Sequence, residues 1–429
     1  MPPSDAIQQT HAGYNFRCHF IDGVFSLIGY SIFNAHAIMP GFIHELVVRH
    51  PYLQPYENRL VQTLVVLFVG VAGPVSFLTA GLSEHLTERK GWFLRWVFTG
   101  RFTVLAIALC TLAMGWMGAT VFLTLLYSLV LVRAVAAGTS MPQWLDFIGR
   151  QIPEEKRGVL FGGRDAMGTL LGVAVLAALP HATKRFGFPT DFGLLFLAAA
   201  IAFLISGLVL SRMREVPYQA EETRPRAPLL QRLRRTLGIL REDKPYRMLM
   251  IAMVFASMVT VANSSMIVTK ANRLLGLAGP ELTAFAGKAS ICQIASYAAF
   301  MPLMGLLAGR IGYKKLAYIG CLAACGTMLL GIFAGGEWTF LSALVIGGAR
   351  QAAMVLIGIN LPLALARSDR RPSYIGLRSL CMLPAAFMPL IGGSIADGFD
   401  PDIVLWAAAV FALLALVVFY LLVREPEQR

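Results

Sequence analysis

Apolar runs of membrane-spanning length recur along the whole chain. An α-helix needs about 20 apolar residues to cross a hydrocarbon core about 30 Å thick. The runs are continuous and do not alternate apolar with polar residues, which indicates helices rather than barrel strands. The pattern predicts twelve spans, at residues 19–44, 60–82, 92–113, 119–142, 165–181, 192–211, 246–269, 283–308, 314–335, 338–365, 378–396 and 402–423.

One long polar connection divides these spans six from six. It predicts an N-terminal bundle over 1–211, a basic linker over 212–245 and a C-terminal bundle over 246–429. Five leucines of the linker fall on one helical face, with arginines elsewhere around it: Leu229, Leu230, Leu233, Leu237 and Leu240. Two interpretations remain open, an amphipathic helix lying on anionic lipid headgroups or an ordinary solvated linker.

Composition and charge agree with a membrane protein. The chain has 429 residues, of which 57% are hydrophobic and only 14% charged, whereas a soluble domain has about 25% charged residues. Most of the 37 Lys and Arg residues lie in connections after even-numbered spans and near the termini, so the positive-inside rule predicts both termini in the cytoplasm. We expect a multi-pass protein of a bacterial inner membrane, without a cleavable signal peptide. The net charge of +13 comes from short clusters between apolar runs, which argues against nucleic-acid binding.

Features of the first half of the chain recur in the second half. The basic string RGVLFGGR (157–164) is echoed by RPSYIGLR (371–378), each after the fourth span of its half. Both fourth spans also contain an arginine near mid-membrane, Arg133 and Arg350. Internal repeats of this kind are common in secondary transporters. A phosphate-binding loop would follow a strand, which the pattern does not provide, so we expect the glycines to fold a loop tightly into spans 5 and 11.

The connections after the second span of each half carry a recognisable motif. GLLAGRIGYK supplies Gly305, Leu307, Arg310, Gly312 and Lys314, and GLSEHLTERK supplies Gly81, Arg89 and Lys90. Together with the twelve spans, these strings resemble the G-x-L-a-D-r-x-G-r-K loops of the major facilitator superfamily. The resemblance implies an all-α membrane protein with twelve transmembrane helices in two pseudo-symmetric six-helix bundles. The chain departs from the motif at the acidic position, where His85 and Gly309 stand.

The resemblance also implies that the first and fourth spans of each half line a central cavity, which contains Arg133 and Arg350. An arginine at the bilayer centre costs about 2.5–3.5 kcal/mol on insertion scales, so a functional role is the default hypothesis. We predict that the two guanidinium groups hold an anionic group through bidentate hydrogen bonds. The alternative is that each arginine is a structural strut bonded to backbone carbonyls.

Other polar residues extend the candidate site. Asn34, His36, Asn263 and Asn360 could orient a polar solute or bond neighbouring helices together. Asp22 and His19 share a face of span 1 and form a candidate proton relay or part of an inner gate. A larger set is predicted to form a cytoplasmic gate that opens as the two halves rock: Gly81, Glu84, Arg89, Lys90, Asp146, Arg157, Arg164, Gly305, Arg310, Gly312, Lys314, Arg371 and Arg378.

These patterns favour a secondary active transporter that moves a small anionic or zwitterionic organic solute by alternating access. Cations outnumber carboxylates within the predicted spans, which favours such a substrate over an organic cation. We expect membrane lipids as the other partners, a functional monomer, and neither a cofactor nor a bound metal. Two alternatives remain open: transport of a metal ion or an anionic chelate of a metal such as iron, and a transport-inactive assembly or sensor protein. An enzyme is not expected, because no nucleophile, zinc or nucleotide motif is present.

Overall fold

The computed structural model describes residues 3–33, 38–56, 60, 63–64, 66–80, 82–215, 228–262, 264–276, 279–367 and 370–423. These residues form helices and turns, without a strand among them. The helices of the first half are α1 (Pro3–Ile32), α2 (Ile38–Arg49), α3 (Ala72–Thr79), α4 (Lys90–Leu112), α5 (Ala119–Gln151), α6 (Glu154–Thr183) and α7 (Thr190–Ser211). Those that follow are α8 (Leu229–Glu242), α9 (Lys244–Met258), α10 (Ser264–Leu275), α11 (Gly279–Ile311), α12 (Tyr313–Ile332), α13 (Glu337–Leu365), α14 (Arg371–Cys381), α15 (Met388–Gly398) and α16 (Pro401–Leu421).

Several predicted spans are interrupted. Within the described chain, nine helices are long and apolar enough to cross a membrane, and spans 1, 2 and 11 are not among them. In span 1, α1 ends at Ile32 and α2 begins at Ile38, and span 2 has a π-helical turn at Val66–Gly70 before α3. Span 11 has a 3₁₀ turn at Leu383–Ala386 between α14 and α15, where Pro384 has no amide hydrogen to continue the helix. Span 7 has a similar turn at Val259–Val261 between α9 and α10.

The chain forms two compact units. The first comprises Met1–Ile152, Met167–Ala227 and Ser368–Gly376, and the second comprises Pro153–Ala166, Pro228–Arg367 and Leu377–Arg429. The start of α6 therefore packs with the C-terminal spans, and the start of α14 packs with the N-terminal spans. Helix α8, which lies within the predicted linker 212–245, belongs to the second unit.

Each unit has its own apolar core. In the first unit the ring of Phe42 lies 5.4–5.7 Å, centroid to centroid, from four other rings, those of Phe122, Phe188, Phe192 and Phe196. The second unit buries many small side chains, among them Ala324 on α12, Ala343 on α13 and Ala408 on α16. Small residues let helix backbones approach closely, which is how helices associate in a membrane.

The glycines of the string 157–164 lie in a helix. Because α6 is continuous from Glu154, the expectation that these glycines fold a loop into span 5 is wrong. A Cβ atom at Gly158 would lie 2.5 Å from the carbonyl oxygen of Gly305, and one at Gly162 would lie 2.8 Å from that of Met301. The glycines therefore permit a close crossing of α6 and α11 within the second unit.

Candidate functional site

Arg133 lies inside a cage of aromatic rings in the first unit. Its position on α5 places the guanidinium carbon 5.2 Å from the ring centroids of Tyr30 and Phe68, 5.3 Å from that of Phe33 and 5.6 Å from that of Phe203. A guanidinium within about 6 Å of a ring face is attracted by the quadrupole of the ring. Four such rings hold the cation without neutralising its charge.

The ring contacts do not occupy the N–H groups of Arg133. No hydrogen bond or ion pair joins its side chain to any residue that the structure describes. Among the described residues, therefore, no backbone carbonyl accepts a hydrogen bond from this side chain, as the strut alternative would require. A guanidinium in this state has five N–H donors with which to bind a carboxylate or phosphate.

Asp22 neutralises a different arginine. The Oδ1 atom of Asp22 accepts hydrogen bonds from Arg101 Nη2, at 3.1 Å, and from the hydroxyl of Ser206. His19, its predicted relay partner, has Nε2 3.1 Å from Oε1 of Gln151. Asp22 and His19 therefore have different partners. Those of Asp22 lie within the membrane spans, and that of His19 lies at the predicted cytoplasmic end.

In the second unit, Arg350 on α13 has no counter-ion among the residues that the structure describes, and its buried Nε has no acceptor there. Almost three turns further along α13, Asn360 is buried, and its Nδ2 donates to the carbonyl oxygen of Leu356 at 2.9 Å. The Oδ1 atom of Asn360 has no partner within the described part of the chain. The other predicted polar contacts, Asn34, His36 and Asn263, lie outside the described residues, as does Gly81 of the predicted gate.

The interruptions of spans 7 and 11 meet inside the second unit. Thr260 Oγ1 donates to the carbonyl oxygen of Ala385 at 3.2 Å. Gly392 lies so close to the carbonyl oxygen of Val261 that a Cβ atom would overlap it. The half-helices α10 and α15 begin beside these turns, and helix N-termini carry partial positive charge. Helices α9 and α14 end at the same turns, and their C-termini carry partial negative charge.

Asp146 joins two arginines in the first unit. Its Oδ2 accepts a hydrogen bond from Arg89 Nη1 at 3.0 Å, and its Oδ1 accepts one from Arg371 Nη1 at 3.4 Å. Arg89 and Asp146 are both almost fully buried. These predicted gate residues, which lie far apart in sequence, form one cluster.

Glu84 binds the start of α14, also within the first unit. Its Oε1 accepts hydrogen bonds from the hydroxyl of Ser373 at 2.6 Å and from the backbone amide of Ser373 at 3.2 Å. A carboxylate at a helix N-terminus is favoured by the helix dipole. The motif has His85 at its usual acidic position, and Glu84, one residue earlier, supplies the carboxylate.

Glu215 is a member of this cluster that the sequence did not indicate. Its carboxylate accepts hydrogen bonds from the backbone amides of Arg89 and Lys90, at 2.7 and 3.0 Å, and Lys90 Nζ donates to the carbonyl oxygen of Met213 at 2.7 Å. Burial raises the pKa of Glu215, while these two amides act in the opposite direction. Its partners are distant in sequence, so no local pattern reveals it.

Two predicted gate arginines of the second unit, Arg164 and Arg378, differ in whether a carboxylate lies beside them. Arg164 Nε donates to Asp165 Oδ1 at 2.9 Å, and the Oδ2 of Asp165 accepts from the hydroxyl of Tyr297 at 3.2 Å. The Arg378 side chain lies beside Gly358 of α13 and has neither a hydrogen bond nor an ion pair to any described residue. Arg371 and Arg378, which are predicted to act together, therefore belong to different units.

The remaining predicted gate residues lie around the start of α12. Gly312 has a φ of 84°, in the left-handed region that favours glycine, and it connects α11 with α12. Lys314 Nζ lies 6.0 Å from the ring centroid of Tyr318. Arg310 is exposed, and Arg157 is buried. Within the part of the chain that the structure describes, no three His, Cys, Asp or Glu side chains are grouped to hold a metal ion.

Comparisons with known proteins agree with the motif. Residues 283–429 match the family model of the Major Facilitator Superfamily. No curated protein sequence matches the chain. The human organic anion transporter MFSD10 (TETRAN) has a similar structure, with a TM-score of 0.75, 13% identity and coverage of 98% of this chain and 100% of that one.

Other solved transporters share the fold. The superfamily's proton:xylose symporter XylE gives a TM-score of 0.72 at 14% identity, covering 97% of each chain. A bacterial homologue of the iron transporter ferroportin gives 0.69 at 14% identity, covering 95% of this chain and 98% of that one. The whole chain thus has the fold of these transporters, and its last third matches the sequence model of the Major Facilitator Superfamily.

Proposed function

We propose that the protein is a secondary active transporter of a small anionic or zwitterionic organic solute. The observation that carries this proposal is the absence of a counter-ion at Arg133 and Arg350 within the described chain. By contrast, Arg89, Arg101 and Arg164 each have a carboxylate partner.

An unpaired guanidinium inside a membrane protein is costly. Placing an arginine at the bilayer centre costs about 2.5–3.5 kcal/mol on insertion scales, so such a residue is retained where it faces water or binds something. A carboxylate, phosphate or sulfonate group on the solute would supply the missing charge and accept two hydrogen bonds from one guanidinium. The organic anion transporter of the same fold supports the proposal, because it shows that this architecture accommodates that substrate class.

The aromatic cage narrows the chemical class of the solute further. Cation–π contacts from Tyr30, Phe33, Phe68 and Phe203 fix the guanidinium plane of Arg133 while its N–H edges can bind an anion. The same rings offer apolar contact to the body of a solute. We therefore favour an organic anion with an apolar part over a small inorganic anion.

Alternating access would make and break the contacts of the segment 368–376. In the first unit, Arg371 and Ser373 are bonded to Asp146 and Glu84. Because α14 begins in the first unit and continues in the second unit from Leu377, a rocking motion would have to release these bonds. We propose that they hold the cytoplasmic side closed, with both chain termini on that side of a bacterial inner membrane and with the monomer as the working unit.

Ligand binding by the purified protein tests the proposal. Compounds that bind the native state raise the unfolding temperature in proportion to their concentration over their affinity. We expect organic anions to stabilise the wild type, and Arg133→Ala and Arg350→Ala to reduce that stabilisation. Arg95→Ala provides a matched control, since Arg95 is an exposed arginine on α4.

The panel also includes organic cations, neutral sugars and metal chelates. Stabilisation by sugars or cations alone would refute the anion proposal. Selective stabilisation by anionic chelates would favour the metal-chelate alternative, and a lack of response to every solute would favour a transport-inactive protein.

A further inference from the structure

Helix α8, in the connection between the two sets of spans, is fixed to the start of span 7. It ends at Glu242, and α9 begins at Lys244 after a single intervening residue. Asp243 caps α9 by accepting a hydrogen bond from the amide of Tyr246 at 3.0 Å. Arg247 Nη1 of α9 donates to the carbonyl oxygen of Leu240 at 3.0 Å. Because span 7 starts at the membrane boundary, α8 lies at the level of the lipid headgroups.

One face of α8 packs on the protein. Thr236 and Ile239 are buried, and they lie three residues apart on the same side of the helix. This packing sets the rotation of α8 about its own axis. It therefore determines which residues point away from the protein.

A second face of α8 combines leucine with arginine. Leu230 is 80% exposed and Leu237 is 46% exposed, although both are large apolar side chains. Arg234 and Arg241, also exposed, follow these leucines at intervals of four residues, which places all four residues on one face. Exposed leucines on a helix at the membrane boundary indicate a surface that is covered by something apolar.

A third face of α8 is polar and has no leucine. Gln231, Arg235 and Glu242 are exposed there, about a quarter to a third of a turn away from the Leu230 face. The helix thus has a protein side, a leucine–arginine side and a water side. The residues of these sides differ in chemistry as well as in position.

We propose that the face formed by Leu230, Arg234, Leu237 and Arg241 binds the anionic lipids of the adjacent membrane leaflet. The helix carries four arginines and one glutamate, so its charge is complementary to an anionic surface. The leucines enter the boundary between headgroups and acyl chains, and the arginine stems lie along it while their guanidinium groups reach lipid phosphates. This lipid site is independent of the solute that the protein transports.

Hydrogen exchange of the full chain in nanodiscs tests the lipid site. We compare discs of phosphatidylcholine with discs of equimolar phosphatidylcholine and phosphatidylglycerol. We expect the backbone amides of α8 to exchange more slowly in the anionic discs. Arg234→Gln and Arg241→Gln should each reduce that difference by about fivefold, since one basic residue near an anionic surface contributes a factor of about this size.

Arg235→Gln is the matched control, because it removes the same charge from the water side of the same helix. The readout is the ratio of exchange between the two lipid compositions, so a variant that merely loosens α8 in both kinds of disc does not mimic the effect. Equal exchange of wild-type α8 in the two discs would overturn the proposal. An Arg235→Gln effect as large as that of Arg234→Gln would also overturn it, because it would show a response to net charge alone.

Discussion

Replacing Asp146 with asparagine should strongly destabilise the first unit. Asp146 is 1% exposed, and it lies 3.0 Å from Nη1 of Arg89, whose side chain is fully buried. The amide keeps the shape of the carboxylate but not its charge, so the Arg89 guanidinium loses the negative charge at 3.0 Å and keeps its weaker hydrogen bonds to the carbonyl oxygens of Leu86 and Glu84. Removing one partner of a buried ion pair costs about 3–5 kcal/mol.

The effect can be measured as a shift of the unfolding temperature in detergent. For a folded body of this size, 1 kcal/mol corresponds to roughly 2–4 °C, so we expect Asp146→Asn to lower the unfolding temperature by about 10 °C. Wild type and variant must be heated at the same rate, because large membrane proteins often unfold irreversibly. The shift should be the same with and without a transported solute, since the defect lies in the folded state.

An exposed ion pair of the same chain provides the control. Lys288 Nζ lies 2.7 Å from Glu337 Oε1, closer than the buried pair, but the side chains are 59% and 40% exposed. Exposed pairs contribute about 0–1 kcal/mol, so Lys288→Gln should shift the unfolding temperature by only a few degrees at most. If Asp146→Asn were as stable as wild type, or if Lys288→Gln were equally damaging, the reasoning from burial would be refuted.

Three further substitutions test other contacts. Glu84→Gln should lower stability by about 1–2 kcal/mol, because it weakens charge-assisted hydrogen bonds at the start of α14, and a wild-type unfolding temperature would contradict this. Gly305→Ala should cost about 1–3 kcal/mol, because its methyl group would overlap the backbone of Gly158, whereas Gly309→Ala, with its nearest atom 3.8 Å away, should not destabilise. Burial raises the pKa of Glu215 above its ordinary value of 4.5, so its contribution to stability is fully present below pH 4.5 and is lost as the pH rises through the raised pKa. Glu215→Gln should therefore flatten the pH dependence of the unfolding temperature above pH 4.5, and an unchanged profile would contradict the assignment.

The membrane spans could be predicted from the sequence because hydropathy is a local property. The interruptions were harder to locate, since a long apolar run looks the same whether or not the helix is continuous. Pro384 gave a local signal for the break in span 11, but nothing comparable marks the turn at Val259–Val261, which packs against that break. The interrupted spans are therefore a product of tertiary packing as much as of local sequence.

Parts of the candidate site could also be anticipated. An arginine within an apolar span is visible in the sequence, which is why Arg133 and Arg350 could be singled out. The rings around Arg133 come from three other spans, and ring contacts of this kind leave no periodic signal. Asp165 was missed for a related reason, because its carboxylate stands next to Arg164 and its second partner, Tyr297, lies on another helix.

Transport by the purified protein in liposomes tests the central claim most directly. The measurement is the uptake of a radiolabelled organic anion that stabilises the wild type, compared among wild type, Arg133→Ala, Arg350→Ala and the control Arg95→Ala. We predict uptake by wild type and Arg95→Ala and a loss of about tenfold or more in the other two variants, the size expected for removing a hydrogen-bonded charge. Wild-type rates in both Arg133→Ala and Arg350→Ala would contradict the account.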